Sequence, residues 1–322
     1  MKFLFIFIDG VGLGSDNPLV NPIVRASTPH LDALLGGNKI IANGHLPGST
    51  DGNSLIKTNR ASLLSLDACM GIDGLPQSAS GQASLLTGKN VPQILGYHDG
   101  PKPNPEIIEI LQGETLFSQM SKQKRKALLV NAYPPRYFLS IENGYRLPGA
   151  IALSARFAGI ALKTQDDLFM GQAISTDFTA QGWHDHLGIM DTPLLDPRQA
   201  GERLHSLSNS CDLAFFEYWL TDIAGHHQDM TAAIDLLELF DSVLGHLSNS
   251  WDDEKGLILI TSDHGNLEDL STRRHTRNDV PLLIIGSQAN RDRFISKLNQ
   301  KNGIEGKLDL TDITPAILSL HQ

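Results

Sequence analysis

Apolar residues follow two rhythms along this chain. Short uninterrupted runs of β-branched and large side chains occur at Phe3–Ile8, Ala127–Val130, Leu213–Trp219, Leu257–Thr261 and Pro281–Ile285. Runs apolar on both faces suit a sheet covered by helices on both sides, and therefore a mostly parallel one. Between them the spacing changes to i, i+3, i+4, i+7. Ala233, Leu236, Leu237, Leu239, Phe240, Val243, Leu244 and Leu247 predict a helix over 231–247. Pro29 to Leu35 predicts a short helix closed by Gly36-Gly37, and Thr311 and Asp312 offer caps ahead of an apolar run ending at Leu320. Pro315 in that run suits the first turn of a helix. Strand–helix alternation at both ends predicts an α/β fold, a three-layer α/β/α sandwich. We expect one domain over residues 1–322. Within it 89–210, richer in proline (Pro92, Pro101, Pro103, Pro105, Pro134, Pro135, Pro148), forms a cap or inserted subregion.

Composition narrows the function. The 322 residues carry 36 acidic against 26 basic side chains, a formal charge of −10, which disfavours nucleic-acid binding through phosphate neutralisation. Cys69 and Cys211 form neither a CxxC unit nor a disulfide framework, so a reducing compartment is expected. No apolar run approaches the roughly 18 residues that span a bilayer. Met1–Ile8 looks like the start of a signal peptide but stops at Asp9-Gly10 without a small-residue cleavage site, and reads instead as a buried first strand. The expectation is a cytoplasmic protein without a membrane partner, its oligomeric state open.

Four segments place chemistry just past strand ends, where α/β sheets present their sites. In Ile8-Asp9-Gly10-Val11-Gly12 an aspartate ends an apolar strand. The bland alternative is a turn; a dinucleotide loop is disfavoured because the glycine spacing fails GxGxxG and Asp9 would repel a pyrophosphate. Ser78 to Thr87, closed by Gly88, reads as a helix whose first hydroxyl is either an N-cap or a nucleophile beside free backbone N–H groups. Asp222 and His226, four apart, follow the strand ending at Trp219. Asp263-His264 follows Leu257–Ile260, with His275 eleven residues on. Singly, such histidines are more often surface or core residues; together the set points to metal. Mixed Asp/His donors suit Zn²⁺ or Mn²⁺. Two divalent cations against Asp9, Asp222 and Asp263 leave one surplus positive charge, which suits a phosphate dianion and phosphoryl transfer. A metal-binding module without catalysis is the non-enzymatic alternative.

Thr261-Ser262-Asp263-His264-Gly265-Asn266 with Glu268, His275-Thr276-Arg277-Asn278-Asp279-Val280-Pro281, Asp222-Ile223-Ala224-Gly225-His226 and Asp9 together resemble the alkaline phosphatase superfamily of two-metal enzymes. The likeness is greatest to its cofactor-independent phosphoglycerate mutase and phosphopentomutase branch. The resemblance implies an alkaline-phosphatase-like fold with one cation on Asp9, Asp263, His264 and the nucleophile, and a second on Asp222, His226 and His275. The family's nucleophile stands ten residues before the glycine of a Thr-Gly pair, which selects Ser78 over Ser80 and Ser84. Gln82 stands where the mutases usually carry a histidine, and their substrate-gripping arginines have no clear counterpart in the middle segment. A sulfatase is disfavoured because Ser78 is followed by Ala79-Ser80-Gly81-Gln82, not x-Pro-x-Arg. The expected function is hydrolysis of a small phosphate ester through phosphoserine on Ser78, with a phosphomutase or phosphodiesterase as alternatives. His98, Asp99 and Arg136 are the candidates for substrate contact.

Overall fold

The first strand shows how the sheet is buried. Phe3, Phe5 and Phe7 point to one face and Leu4, Ile6 and Ile8 to the other, and all six are inaccessible or nearly so. The computed structural model describes residues 1–42, 54–298 and 307–321. Seven strands, β1 (Lys2–Ile8), β2 (Ser54–Lys57), β3 (Ala61–Leu66), β4 (Ala127–Leu129), β5 (Leu213–Tyr218), β6 (Gly256–Thr261) and β7 (Val280–Ile285), form one sheet. Their order is β2-β3-β7-β6-β1-β5-β4. β1, β3, β4, β5 and β6 run in one direction; β7 is antiparallel to both its neighbours and β2 is antiparallel to β3.

Helices cover both faces, as the sandwich requires. Residues 78–87, 105–112, 116–122, 150–157 and 313–319 pack over the Phe3–Phe5–Phe7 face. Residues 29–34, 197–209 and Met230–Ser250 pack over the other. The last of these helices is longer at both ends than its apolar stripe predicts, and it is capped by Asp229, which accepts from the Ala232 N–H at 3.0 Å. Part of the proline-rich middle completes the sandwich: it supplies edge strand β4 and three helices of the first layer. A smaller cluster of Ala132, Leu168, Ala173, Ala180 and Trp183 forms a satellite core beside it.

β3 was not legible in the apolar pattern, because Ser62 and Ser65 interrupt it, yet every one of its residues is buried. Ser62 Oγ receives Arg291 Nη1 at 2.5 Å. The remaining N–H groups of this buried guanidinium reach the Gly286, Thr58 and Asn59 carbonyls at 2.9–3.0 Å. The arginine thus satisfies a polar seam in the antiparallel half of the sheet.

This topology decides where the site lies. β6, β1 and β5 are contiguous and parallel, so their carboxyl ends stand side by side. Because β7 is reversed, it starts at the edge where β6 stops, and the 262–279 connection stays there. β3 ends at the same edge and leads to the helix beginning at Ser78. No helix among the described residues is long and apolar enough to cross a membrane.

Candidate metal centre

Asp9 is the first residue past β1, followed by Gly10 at φ +70°. Only glycine is comfortable there, and a Cβ would also lie 2.7 Å from Asp222 Oδ1. Thr221 ties two strand ends together by donating to the Asp9 carbonyl at 2.6 Å and the Tyr218 carbonyl at 3.2 Å. The helix Leu220–His227 then puts Asp222 and His226 one turn apart on one face. From β6, Ser262 accepts from the Val11 N–H at 3.0 Å and donates to the His264 carbonyl at 2.9 Å. Buried Glu268 ties the loop after β1 to both ends of the 262–279 connection: it accepts from Gly12 N–H at 3.0 Å, Asn266 N–H at 2.8 Å, Asn278 Nδ2 at 2.9 Å and the Thr276 hydroxyl.

The six acidic and imidazole residues singled out from the sequence come together as two triads. In each, the ligand atoms lie within 4.8 Å of one another: Asp9, Asp263 and His264 in one, Asp222, His226 and His275 in the other. In the first, His264 Nε2 is 3.4 Å from Asp9 Oδ1 and 3.7 Å from Asp263 Oδ1. In the second, His226 Nε2 is 3.3 Å from Asp222 Oδ2 and 3.3 Å from His275 Nε2. The His264 and His275 rings stack with centroids 3.7 Å apart, joining the triads.

The donor set fits divalent metal. His226 Nδ1 faces the Arg273 carbonyl at 2.8 Å and His275 Nδ1 faces the Pro76 carbonyl at 2.6 Å. A carbonyl only accepts, so each Nδ1 carries the proton and each Nε2 turns a lone pair inward, the orientation of a metal-ligating histidine. Asn266 Nδ2 fixes Asp222 Oδ1 at 2.8 Å. In the first triad Asp9 Oδ1 and both Asp263 oxygens are buried without a hydrogen-bond partner. Buried carboxylates in that condition cost several kcal/mol unless a cation or proton compensates them. Burial, then the charges of Asp263 and Asp222, pushes the Asp9 carboxyl well above its usual range. Burial, then Asp222, pushes Asp263 to about 8. Burial drives His264 well below the usual imidazole range and lowers His275.

Ser78 joins the first triad. It is the first residue of the helix Ser78–Thr87, which has no side-chain cap and closes at Gly88 with φ +66°. Ser78 Oγ lies 3.0 Å from His264 Nε2. Among the described residues neither the Ser78 nor the Ala79 N–H has a partner, so both remain open to an anion. Gly100 faces them, and a Cβ there would sit 3.2 Å from Ser78 N and 3.4 Å from Ala79 N. Gln82 is buried one turn along.

The three substrate-contact candidates are placed differently. Asp99 is latched to the serine helix by Ser80 N–H to its carbonyl at 2.9 Å and by its own N–H to Ser80 Oγ at 3.0 Å. His98 is half-buried, its Nε2 3.3 Å from the Ile72 carbonyl. Arg136 is exposed on the helix Pro135–Glu142, with no side-chain partner among the described residues. Gly100 and Glu217 are not among the residues singled out from the sequence, and Asn266 stands in the Asp263-His264 motif without an assigned role. The signal for Glu217 is a lone acid inside the otherwise apolar strand Leu213-Ala214-Phe215-Phe216-Glu217-Tyr218.

Comparison with known proteins bears on the fold and on the C-terminal part of the chain. Residues 187–322 match the model of the Metalloenzyme superfamily. That stretch contains Asp222, His226, Asp263, His264 and His275, whereas Asp9 and Ser78 lie outside it. A 2,3-bisphosphoglycerate-independent phosphoglycerate mutase of Prochlorococcus marinus is 34% identical over 105 residues, 31% of this chain and 19% of the mutase. The match therefore spans about a fifth of that relative's length. The PH0037 protein of Pyrococcus horikoshii superposes with a TM-score of 0.54 at 17% identity, covering 99% of this chain and 96% of its own. The alkaline phosphatase of the Antarctic bacterium TAB5 superposes with a TM-score of 0.51 at 13% identity, covering 99% and 97%. At these identities the structural likeness is one of fold. The match of residues 187–322 to the Metalloenzyme superfamily and the alkaline-phosphatase-like fold are both in keeping with the paired triads.

Proposed function

We propose that this chain is a metal-dependent phosphohydrolase that cleaves a small phosphate monoester through a phosphoserine on Ser78. Asp9, Asp263 and His264, with Ser78, would hold one divalent cation, and Asp222, His226 and His275 a second, zinc or manganese at each. Bound there, such cations neutralise phosphate charge and lower the pKa of an oxygen nucleophile. Ser78 Oγ attacks phosphorus, the bond to the ester oxygen breaks, and the departing alcohol leaves with the serine proton. The free N–H groups of Ser78 and Ala79 donate to the phosphoryl oxygens as their charge rises. Water then adds to phosphorus, the Oγ–phosphorus bond breaks, and inorganic phosphate leaves as the hydroxyl is restored.

The observation that carries this reading is Ser78 Oγ 3.0 Å from His264 Nε2 at an uncapped helix N-terminus. Hydrolysis is favoured over internal transfer because the His226 side chain is 43% exposed, leaving the second triad open to water. The names of the mutase relatives favour a second reading, in which phosphoserine returns its phosphoryl group to another hydroxyl of the same molecule. Incubation with a panel of phosphate mono- and diesters separates these reactions. Free phosphate supports hydrolysis, isomerised ester supports the mutase, and turnover confined to diesters overturns both.

A further inference from the structure

Beside the buried triad, on the serine-helix face of the sheet, lies a second group of polar side chains that the proposed chemistry does not use. Glu217 pairs in register with Phe7, two residues before Asp9 on the neighbouring strand, and so projects to the same face as Asp9. Its backbone is pinned. Asn131 accepts from the Glu217 N–H and donates to its carbonyl, both at 2.8 Å, and Thr176 donates to that carbonyl at 2.9 Å. Lys102 follows two residues after Gly100, the residue lying against the Ser78 N–H. Tyr133 stacks on Tyr137 with centroids 4.5 Å apart, and the Arg146 guanidinium lies 5.0 Å above the Tyr137 ring.

Among the described residues, none of these five side chains makes a hydrogen bond or ion pair through its polar end, and Tyr133 Oη is buried in that condition. They share one electrostatic environment with the metal centre. Burial pushes Glu217 up to about 7 although Lys102 opposes it. Burial and then Arg146 lower Lys102, while Glu217 and Asp9 act on it the other way. Burial and then Glu217 raise the Tyr133 phenol. Native structures seldom leave a largely buried carboxylate and a buried phenol unsatisfied unless a ligand completes them, and the exposed Lys102 and Arg146 stand at the rim beside them.

We propose that Lys102, Tyr133, Tyr137, Arg146 and Glu217 form a recognition subsite for the hydroxylated carbon skeleton of a sugar or polyol phosphate. The proposal rests on the phosphohydrolase reading only for where the phosphoryl end sits. A carboxylate accepts from two neighbouring hydroxyls; Lys102 and the Tyr133 hydroxyl donate to ring or hydroxyl oxygens; the tyrosine pair offers an apolar surface to the C–H face. A substrate whose far end is a carboxylate would suit the two cations but bring like charge against Glu217. A plain alkyl or aryl ester would leave every one of these groups unpaired.

Binding separates these ligands without turnover. In the metal-loaded Ser78→Ala protein, calorimetry with ribose 5-phosphate, 3-phosphoglycerate and phenyl phosphate should show the pentose ester binding about tenfold tighter than the aryl ester. Glu217→Gln and Lys102→Met, each added separately, should weaken ribose 5-phosphate about tenfold and phenyl phosphate less than threefold, a split that a general loss of structure would not produce. Lys102 lies at the exposed rim, so its variant reports even if Glu217→Gln does not fold. Equal weakening of both esters, no preference for the pentose ester, or tightest binding of 3-phosphoglycerate would each overturn the subsite. If the unmutated protein released no phosphate from any ester, the phosphohydrolase reading would fall, while the binding comparison would still decide the subsite.

Discussion

The two triads draw on the same two kinds of donor, two carboxylates and an imidazole in one and one carboxylate and two imidazoles in the other, and differ in their exposure. Asp9, Asp263 and His264 sit at the ends of β1 and β6, both interior strands, and the His264 and Asp263 side chains are fully buried. Ser78 closes that site from above. Asp222, His226 and His275 come from a helix and a loop, and the His226 ring stands 43% exposed. The difference shows in how each is held. The open triad is oriented by backbone carbonyls behind both histidines and an asparagine behind the aspartate. The buried triad has orphaned oxygens, and without a cation its charges are uncompensated. One site is suited to fix a cation and a nucleophile in a dry setting where electrostatic effects are large; the other is suited to admit water and exchange product.

The largest expected effect tests what belongs to the dry side. Ser78→Ala should lower phosphate release on the order of 10³-fold or more, while elemental analysis finds the same metal content as the parent. Turnover that survives the substitution removes Ser78 from the mechanism.

Metal removal probes the uncompensated charge. In the stripped protein burial and then Asp222 push the folded Asp263 carboxyl up to about 8, against about 4 in an unfolded chain. The folded state therefore binds more protons across that interval, and stability falls as pH rises from about 4 to 8. Chemical denaturation should show a loss on the order of a few kcal/mol over that window. Asp263→Asn should reduce the slope, the share of the equally buried Asp9 remaining, and added zinc or manganese should abolish it in the parent. A flat profile in the stripped parent would contradict the burial argument.

Histidine replacement contrasts the triads directly. His264→Ala opens a cavity in a closed site and should lower both melting temperature and metal content, with no recovery on adding imidazole. His226→Ala removes an exposed ligand; its metal affinity should drop by more than the roughly 10–100-fold that loss of a partner behind a ligand costs, and imidazole should restore part of it with the melting temperature of the apo form little changed. Recovery of both variants, or of neither, would erase the distinction. The smallest effect is expected from Gly100→Ala. Its methyl would crowd the Ser78 and Ala79 N–H groups and lower kcat about tenfold, consistent with an impaired anion donor, with metal content unaffected.

The contrast was partly legible before any coordinates. Each ligand-bearing segment is local: an apolar strand, then Asp9, Asp222-x-x-x-His226 or Asp263-His264. The core strands β1, β5, β6 and β7 were visible because they are buried on both faces and read as continuous apolar runs. β3 was hidden by Ser62 and Ser65, whose neighbourhood is satisfied by Arg291 from more than 200 residues away. Glu217 stood as one acid in an apolar strand, but nothing near it in the chain pointed to Lys102, Tyr133 or Arg146.

The sequence by itself determined the local grammar of this protein: which runs become strands, which residues cap or close its helices, and which donors stand at strand ends. Side-chain spacing and hydrophobic period act over a few residues, so they can be read there. The tertiary structure decided which donors gather into each triad, that His275 stays at the edge where β6 stops because β7 is reversed, and that one triad is buried while the other exposes His226. Those outcomes depend on strand order and on what packs above the sheet, and such contacts join residues whose separation along the chain carries no trace of their meeting.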